Sequence, residues 1–105
     1  MKKWQNKEEF KERVSEWAIK MDVQIHIISM RSMKNKWASY TKTSNLLIFN
    51  TKLLDMEKEL ADYVIVHELL HFRTPNHGKL WKSYMQAYLG NYEKLKERLI
   101  NKLID

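Results

Sequence analysis

Val64-Ile65-Val66-His67-Glu68-Leu69-Leu70-His71 reads as a helix apolar enough to be buried, yet it carries three polar side chains. Apolar positions continue upstream at Leu60 and Ala61, so the helical pattern runs from about Glu57 to Arg73 and stops before Thr74-Pro75. A helix of 3.6 residues per turn brings positions i and i+4 to one face, so the imidazoles of His67 and His71 reach one cation. Glu68 follows the first of them and points to the same side. There its carboxylate can take a proton from a bound water without being a ligand. Buried without partners, these three side chains would be costly, and a metal resolves that conflict.

A third imidazole, His77, stands six residues beyond His71, past the proline break and at the start of the next predicted helix. Three of the four histidines thus fall within eleven positions, which makes His77 the expected third ligand. Cysteine is absent, so every ligand must be His, Asp or Glu. Three protein ligands leave the fourth tetrahedral position of zinc for water, as a catalytic site requires, whereas a structural site would close all four. The expected cofactor is therefore zinc. The expected reaction is hydrolysis of a peptide bond, with Glu68 passing the water's proton to the leaving amine. His26, alone in a strand-like run, reads as a solvent-facing or hydrogen-bonded residue rather than a ligand.

Outward from this helix, Phe10, Val14, Trp17, Ala18 and Met21 recur at helical spacing and predict an amphipathic first helix over about Trp4 to Lys20. Val23, Ile25, Ile27 and Ile28 form a β-branched run, followed by strand-like segments at Lys36 to Tyr40 and Leu46 to Phe49. Thr43, Ser44 and Asn45 supply turn chemistry between the last two, which predicts an antiparallel hairpin. Met30 to Asn35 is polar and basic and reads as the preceding turn. After the proline, Asn76 is placed to cap a helix with an apolar face of Leu80, Trp81, Tyr84, Met85, Tyr88 and Leu89, ended by Gly90. A last helix spans about Tyr92 to Ile104. The expected class is α+β: an N-terminal helix, a three-stranded mostly antiparallel sheet, the metal-bearing helix and C-terminal helices.

With 105 residues there is room for one compact domain and one modest core, so residues 1–105 are expected to form a single unit. The many aromatic residues give that core large apolar area per residue. The charged first residues lack the apolar run of a signal peptide, and no segment approaches the ~20 apolar residues of a membrane span. A soluble cytoplasmic protein is expected. The formal charge of +6 admits nucleic acid as a partner, but most Lys residues are interleaved with Glu or apolar residues, which favours a solvated surface.

Lys36-Trp37-Ala38-Ser39-Tyr40, Leu46 to Asn50, Asp62 to His71 and Asn76-His77-Gly78-Lys79-Leu80-Trp81 resemble the minigluzincins, over about residues 30 to 92. The resemblance implies a zincin-like fold, a minimal zinc metallopeptidase similar to the catalytic domains of HtpX-like and BlaR-type membrane peptidases, and a His as third ligand at the position of His77. It also implies a substrate lying extended along an edge strand by β-augmentation, for which Lys36 to Thr41 is the candidate. Ala38 and Tyr40 stand where related sequences often have Gly and Cys, so no role of those residues carries over. Arg73 occupies a position usually apolar. Thr74 replaces the turn Gly of metzincins, whose ligand spacing is the same.

Leu95, Leu99, Ile100, Leu103 and Ile104 form an apolar stripe in the last helix. Packing on its own domain is one reading. Covering the active cleft or pairing two copies as a homodimer is the other, and resemblance to the minigluzincins implies latency of this kind for residues 92–105. Tyr40, Tyr63, Arg73 and Tyr92 are the candidates for stabilising the oxyanion. Two alternatives stand beside the peptidase. His77-Gly78 followed by Trp81 also resembles SprT-like proteases acting on DNA-bound proteins. A non-catalytic binding module braced by zinc would have no need of Glu68.

Overall fold

Asn6, not Trp4, begins the first helix. Its side chain accepts from the Glu9 amide at 2.9 Å, and α1 runs Lys7–Met21 from that cap. Trp4 lies outside the helix and is buried, its amide donating to the Leu54 carbonyl at 3.2 Å and its ring 5.0 Å from Phe10. Asp22, in the left-handed region at φ 56°, closes α1 by donating its amide to the carbonyls of Ala18 and Ile19. The computed structural model describes residues 4–74 and 76–104, with side chains through residue 101.

Over the described residues the molecule is α+β, with four helices and a three-stranded mixed sheet. The strands are β1 (Ile27–Arg31), β2 (Ala38–Thr41) and β3 (Leu46–Asn50), in spatial order β1-β3-β2. β2 and β3 form the predicted antiparallel hairpin, closed by Asn45 at φ 49°. β1 pairs with β3 in parallel, Ile27 opposite Leu46 and Arg31 opposite Asn50. The first strand is thus shifted from its expected position: Val23 and Ile25 precede it, and it runs into the segment read as a turn.

Residues 32–37 must then carry the chain from one sheet edge to the other, past the end of β3. Asn50 holds this crossing. Its Nδ2 donates to the carbonyls of Met33 and Lys36 at 2.9 and 2.8 Å, its amide donates to Trp37, and its Oδ1 accepts from the Lys52 amide. Such a buried amide is satisfied on every side, as a buried polar group must be. β3 sends Leu47 and Phe49 into the core, where Phe49 meets Phe10 edge-on at 5.2 Å. A 3-10 turn at Thr51–Asp55 buries Leu53 and Leu54 and completes the first of two compact units, Met1–Glu57.

The second unit, Lys58–Asp105, holds α2 (Lys58–Leu70), α3 (Lys79–Leu89) and α4 (Tyr92–Ile104). Nearly every α2 residue from Leu60 to Leu70 is buried, and the helix contacts both α3 and α4. α2 ends at Leu70, three residues short of expectation. The amides of His71, Phe72 and Arg73 bond three residues back, and the Thr74 amide and hydroxyl both donate to the Leu70 carbonyl. The tightening follows from Pro75, which disfavours helical backbone at the residue before it. Gly90, at φ 69°, ends α3 as predicted. α4 docks through buried Leu99, while Ile100 stays 44% exposed and the side chains of Leu103 and Ile104 lie outside the described residues.

Candidate metal centre

His67 and His71 project from the C-terminal end of α2, with His71 in the tightened turn that follows its last residue. The i, i+4 relation survives this tightening, and their ring centroids are 5.3 Å apart. His77 lies in the connection rather than on the next helix, because α3 starts at Lys79 with Gly78 as its N-cap. Asn76, expected to cap that helix, instead accepts from the Gly78 amide at 3.2 Å. This local turn brings the His77 ring back over α2, 4.9 Å from His67 and 5.7 Å from His71.

One nitrogen from each imidazole lies within 4.8 Å of the other two, the one group of three or more such donors among the described residues. Three points so spaced lie within about 2.8 Å of a common centre, somewhat wider than the Zn–N bonds of about 2.0–2.1 Å that a bound zinc would make. The protonation states suit the same use. Burial, with His71, His77 and the Lys96 ammonium nearby, lowers His67 to about 4. Burial also lowers His71, and burial followed by His71 and Lys96 lowers His77. All three are therefore neutral near pH 7, the state in which imidazole donates a lone pair. The donor set fits zinc.

Glu68 sits one residue from His67, with an Oε2 4.0 Å from the Nε2 of His71. With His71 neutral this approach is not an ion pair. The carboxylate is largely but not fully covered, beside the three imidazoles. His26 is exposed before β1 and outside the cluster.

A cavity of about 500 Å³ opens beside His67 and His77. Tyr63, Trp81 and Tyr92 give it aromatic walls, and Lys82, Glu93, Lys96 and Glu97 give it both signs of charge. Of the four oxyanion candidates, Tyr63 and Tyr92 line this cavity and Arg73 does not. Burial, and then the neighbouring Tyr92, raises the Tyr63 phenol, so its hydroxyl is a protonated donor at neutral pH. Tyr63 stands one helical turn before His67, a spacing already present in the sequence. Lys96 carried no such sign, since only the fold returns α4 to the histidine-bearing face of α2.

A sequence profile of the YgjP-like metallopeptidase domain matches residues 1–102. An uncharacterised protein of Methanocaldococcus jannaschii is 33% identical over 99% of this chain and 100% of its own length. The crystal structure of the metallopeptidase zymogen jannalysin, from the same organism, superposes with a TM-score of 0.79 at 29% identity, covering 90% of this chain and 96% of that one. The Pyrococcus abyssi metallopeptidase zymogen abylysin superposes with a TM-score of 0.75 over 90% of this chain and 94% of its own, and at 19% identity it shows the shared fold.

Proposed function

The chain belongs to the YgjP-like metallopeptidase family, and we propose that it is a zinc-dependent peptidase in which His67, His71 and His77 hold the metal and Glu68 is the general base. The observation that carries this reading is the convergence of three neutral imidazoles within 4.8 Å, with a carboxylate beside them. A bound zinc supplies Lewis-acid polarisation of the scissile carbonyl and a water acidic enough to lose a proton near pH 7. Glu68 receives that proton and returns it to the leaving amine, which departs neutral. Tyr63 and Tyr92, which line the cavity beside His67 and His77, are the candidates to donate to the carbonyl oxygen as it gains charge. The substrate is a peptide or protein, and residues 1–105 act as one catalytic domain, in keeping with the nearly full-length family match.

We also propose that α4 keeps the enzyme latent within its own chain. Five of the residues around the cavity, Tyr92, Glu93, Lys96, Glu97 and Ile100, come from α4, which therefore walls the metal site. An ion pair between Arg98 and Glu59, 2.8 Å long, ties α4 to the first turn of α2. The likeness to jannalysin, solved as a zymogen, supports latency, and the cavity lining supports its origin in this chain's own α4.

Glu68→Gln tests the catalytic assignment. Zinc content and affinity should stay at the wild-type level, while peptide hydrolysis falls about 10²–10⁴-fold. Hydrolysis at the wild-type rate by a zinc-loaded Glu68→Gln protein would remove Glu68 from the mechanism.

A further inference from the structure

His77 differs from the other two histidines in how it is held. His67 and His71 are fixed by the backbone of α2 and its last turn, but His77 lies in an exposed connection between helices. Its ring nevertheless has a defined orientation, and the contact that gives it one is Trp81. The indole stacks on the imidazole with centroids 4.3 Å apart and planes 22° from parallel. Trp81 itself belongs to the first turn of α3 and is 5% exposed. It meets His67 edge-on at 5.4 Å and Tyr92 edge-on at 5.9 Å. One buried ring thus touches two of the three histidines, lying flat against the one in the connection.

The polar end of Trp81 is not what places it there. Its Nε1 is buried without a hydrogen-bond partner among the described residues, so the ring is held by its faces and edges. Two physical effects follow from a flat indole against an imidazole ligand. The ring loses little rotational freedom when it takes up a metal, because the stack has already removed it. An imidazole bound to a dication also carries positive charge, and an indole face attracts positive charge more strongly than it attracts a neutral ring. Both effects favour the metal-bound state over the metal-free one.

We propose that Trp81 is a positioning residue for His77, setting the zinc affinity of the centre by stacking on its third ligand. This rests on the reading of His77 as a ligand. Partners that orient metal ligands typically change affinity by about 10–100-fold when removed.

The test is a zinc competition titration against a chromophoric chelator, comparing wild type with Trp81→Leu, Trp81→Phe and His77→Ala. Trp81→Leu should bind zinc about 10–100-fold more weakly while keeping its far-ultraviolet circular dichroism, and Trp81→Phe should recover most of the loss. Zinc should also change the indole fluorescence of the wild type, and that change should be missing from Trp81→Phe. Wild-type affinity in Trp81→Leu, with affinity lost in His77→Ala, would overturn the role of Trp81 and leave the ligand assignment standing. Unchanged affinity in His77→Ala would instead overturn the ligand assignment itself. Should the leucine variant fail to fold, an undiminished zinc-linked fluorescence change in Trp81→Phe overturns the proposal.

Discussion

Asn50 and Glu68 are both polar side chains set among apolar ones, and they differ in what satisfies them. The Asn50 amide spends its donors and acceptor on three backbone groups of its own unit, so its role is structural. Asn50→Ala leaves the Met33 and Lys36 carbonyls without that donor and frees the crossing between β1 and β2. The expected cost is about 2–4 kcal/mol, read as a lowered midpoint in chemical denaturation. Glu68 stands with an Oε2 4.0 Å from the Nε2 of a neutral His71, beyond hydrogen-bonding distance, beside a cluster with the geometry of a cation site. Its substitution should therefore show in turnover rather than in stability.

Among the elements, α2 was the most legible in the sequence and β1 the least. Aliphatic residues at helical spacing with His at i and i+4 determine both the helix and the face it offers, because that information is local. The proline break and Gly90 set the ends of α2 and α3 for equally local reasons, within a few residues. β1 was harder because strand pairing is not written into the strand. Val23 and Ile25 have the same β-branched character as Ile27 and Ile28, but only residues from Ile27 onward find a partner on β3. Its parallel alignment depends on the crossing that Asn50 secures, a contact between distant positions. His77 was legible as a candidate ligand, but the stacking of Trp81 on it was not, although the pair stands at i and i+4. The tryptophan fitted the apolar face of α3 equally well.

α4 is the element whose removal says most about regulation. Truncation after Asn91 should uncover the cavity wall and raise hydrolysis of a fluorogenic peptide, with some loss of thermal stability from the missing Leu99 contact. Raising the salt concentration should act in the same direction on the intact chain by screening the Arg98–Glu59 pair, an exposed contact worth no more than about 1 kcal/mol. Equal activity in the truncated and intact proteins would rule out latency through α4.

For the molecule as a whole, the histidine cluster links folding to pH. His67 sits near 4 in the folded protein, against an ordinary value of 6.5, and His71 and His77 are lowered as well. Below pH 6.5 the unfolded chain binds protons that the folded one does not, so acidification favours unfolding. The metal-free protein should be fully stable above that pH and lose stability as pH falls from about 6.5 toward 4. Melting temperatures recorded in a chelator across this range check the sign, and a rise in melting temperature on acidification would contradict it. Among the described residues no helix is long and apolar enough to cross a membrane.

X-ray absorption spectroscopy of the zinc-loaded protein tests the central claim most directly, because it counts the groups around the metal. The expected spectrum has three imidazole nitrogens and one non-protein oxygen at about 2.0–2.1 Å, falling to two imidazoles in His77→Ala. Fewer than three imidazoles in the wild type, or a fourth protein side chain closing the coordination sphere, would contradict a catalytic centre built on His67, His71 and His77.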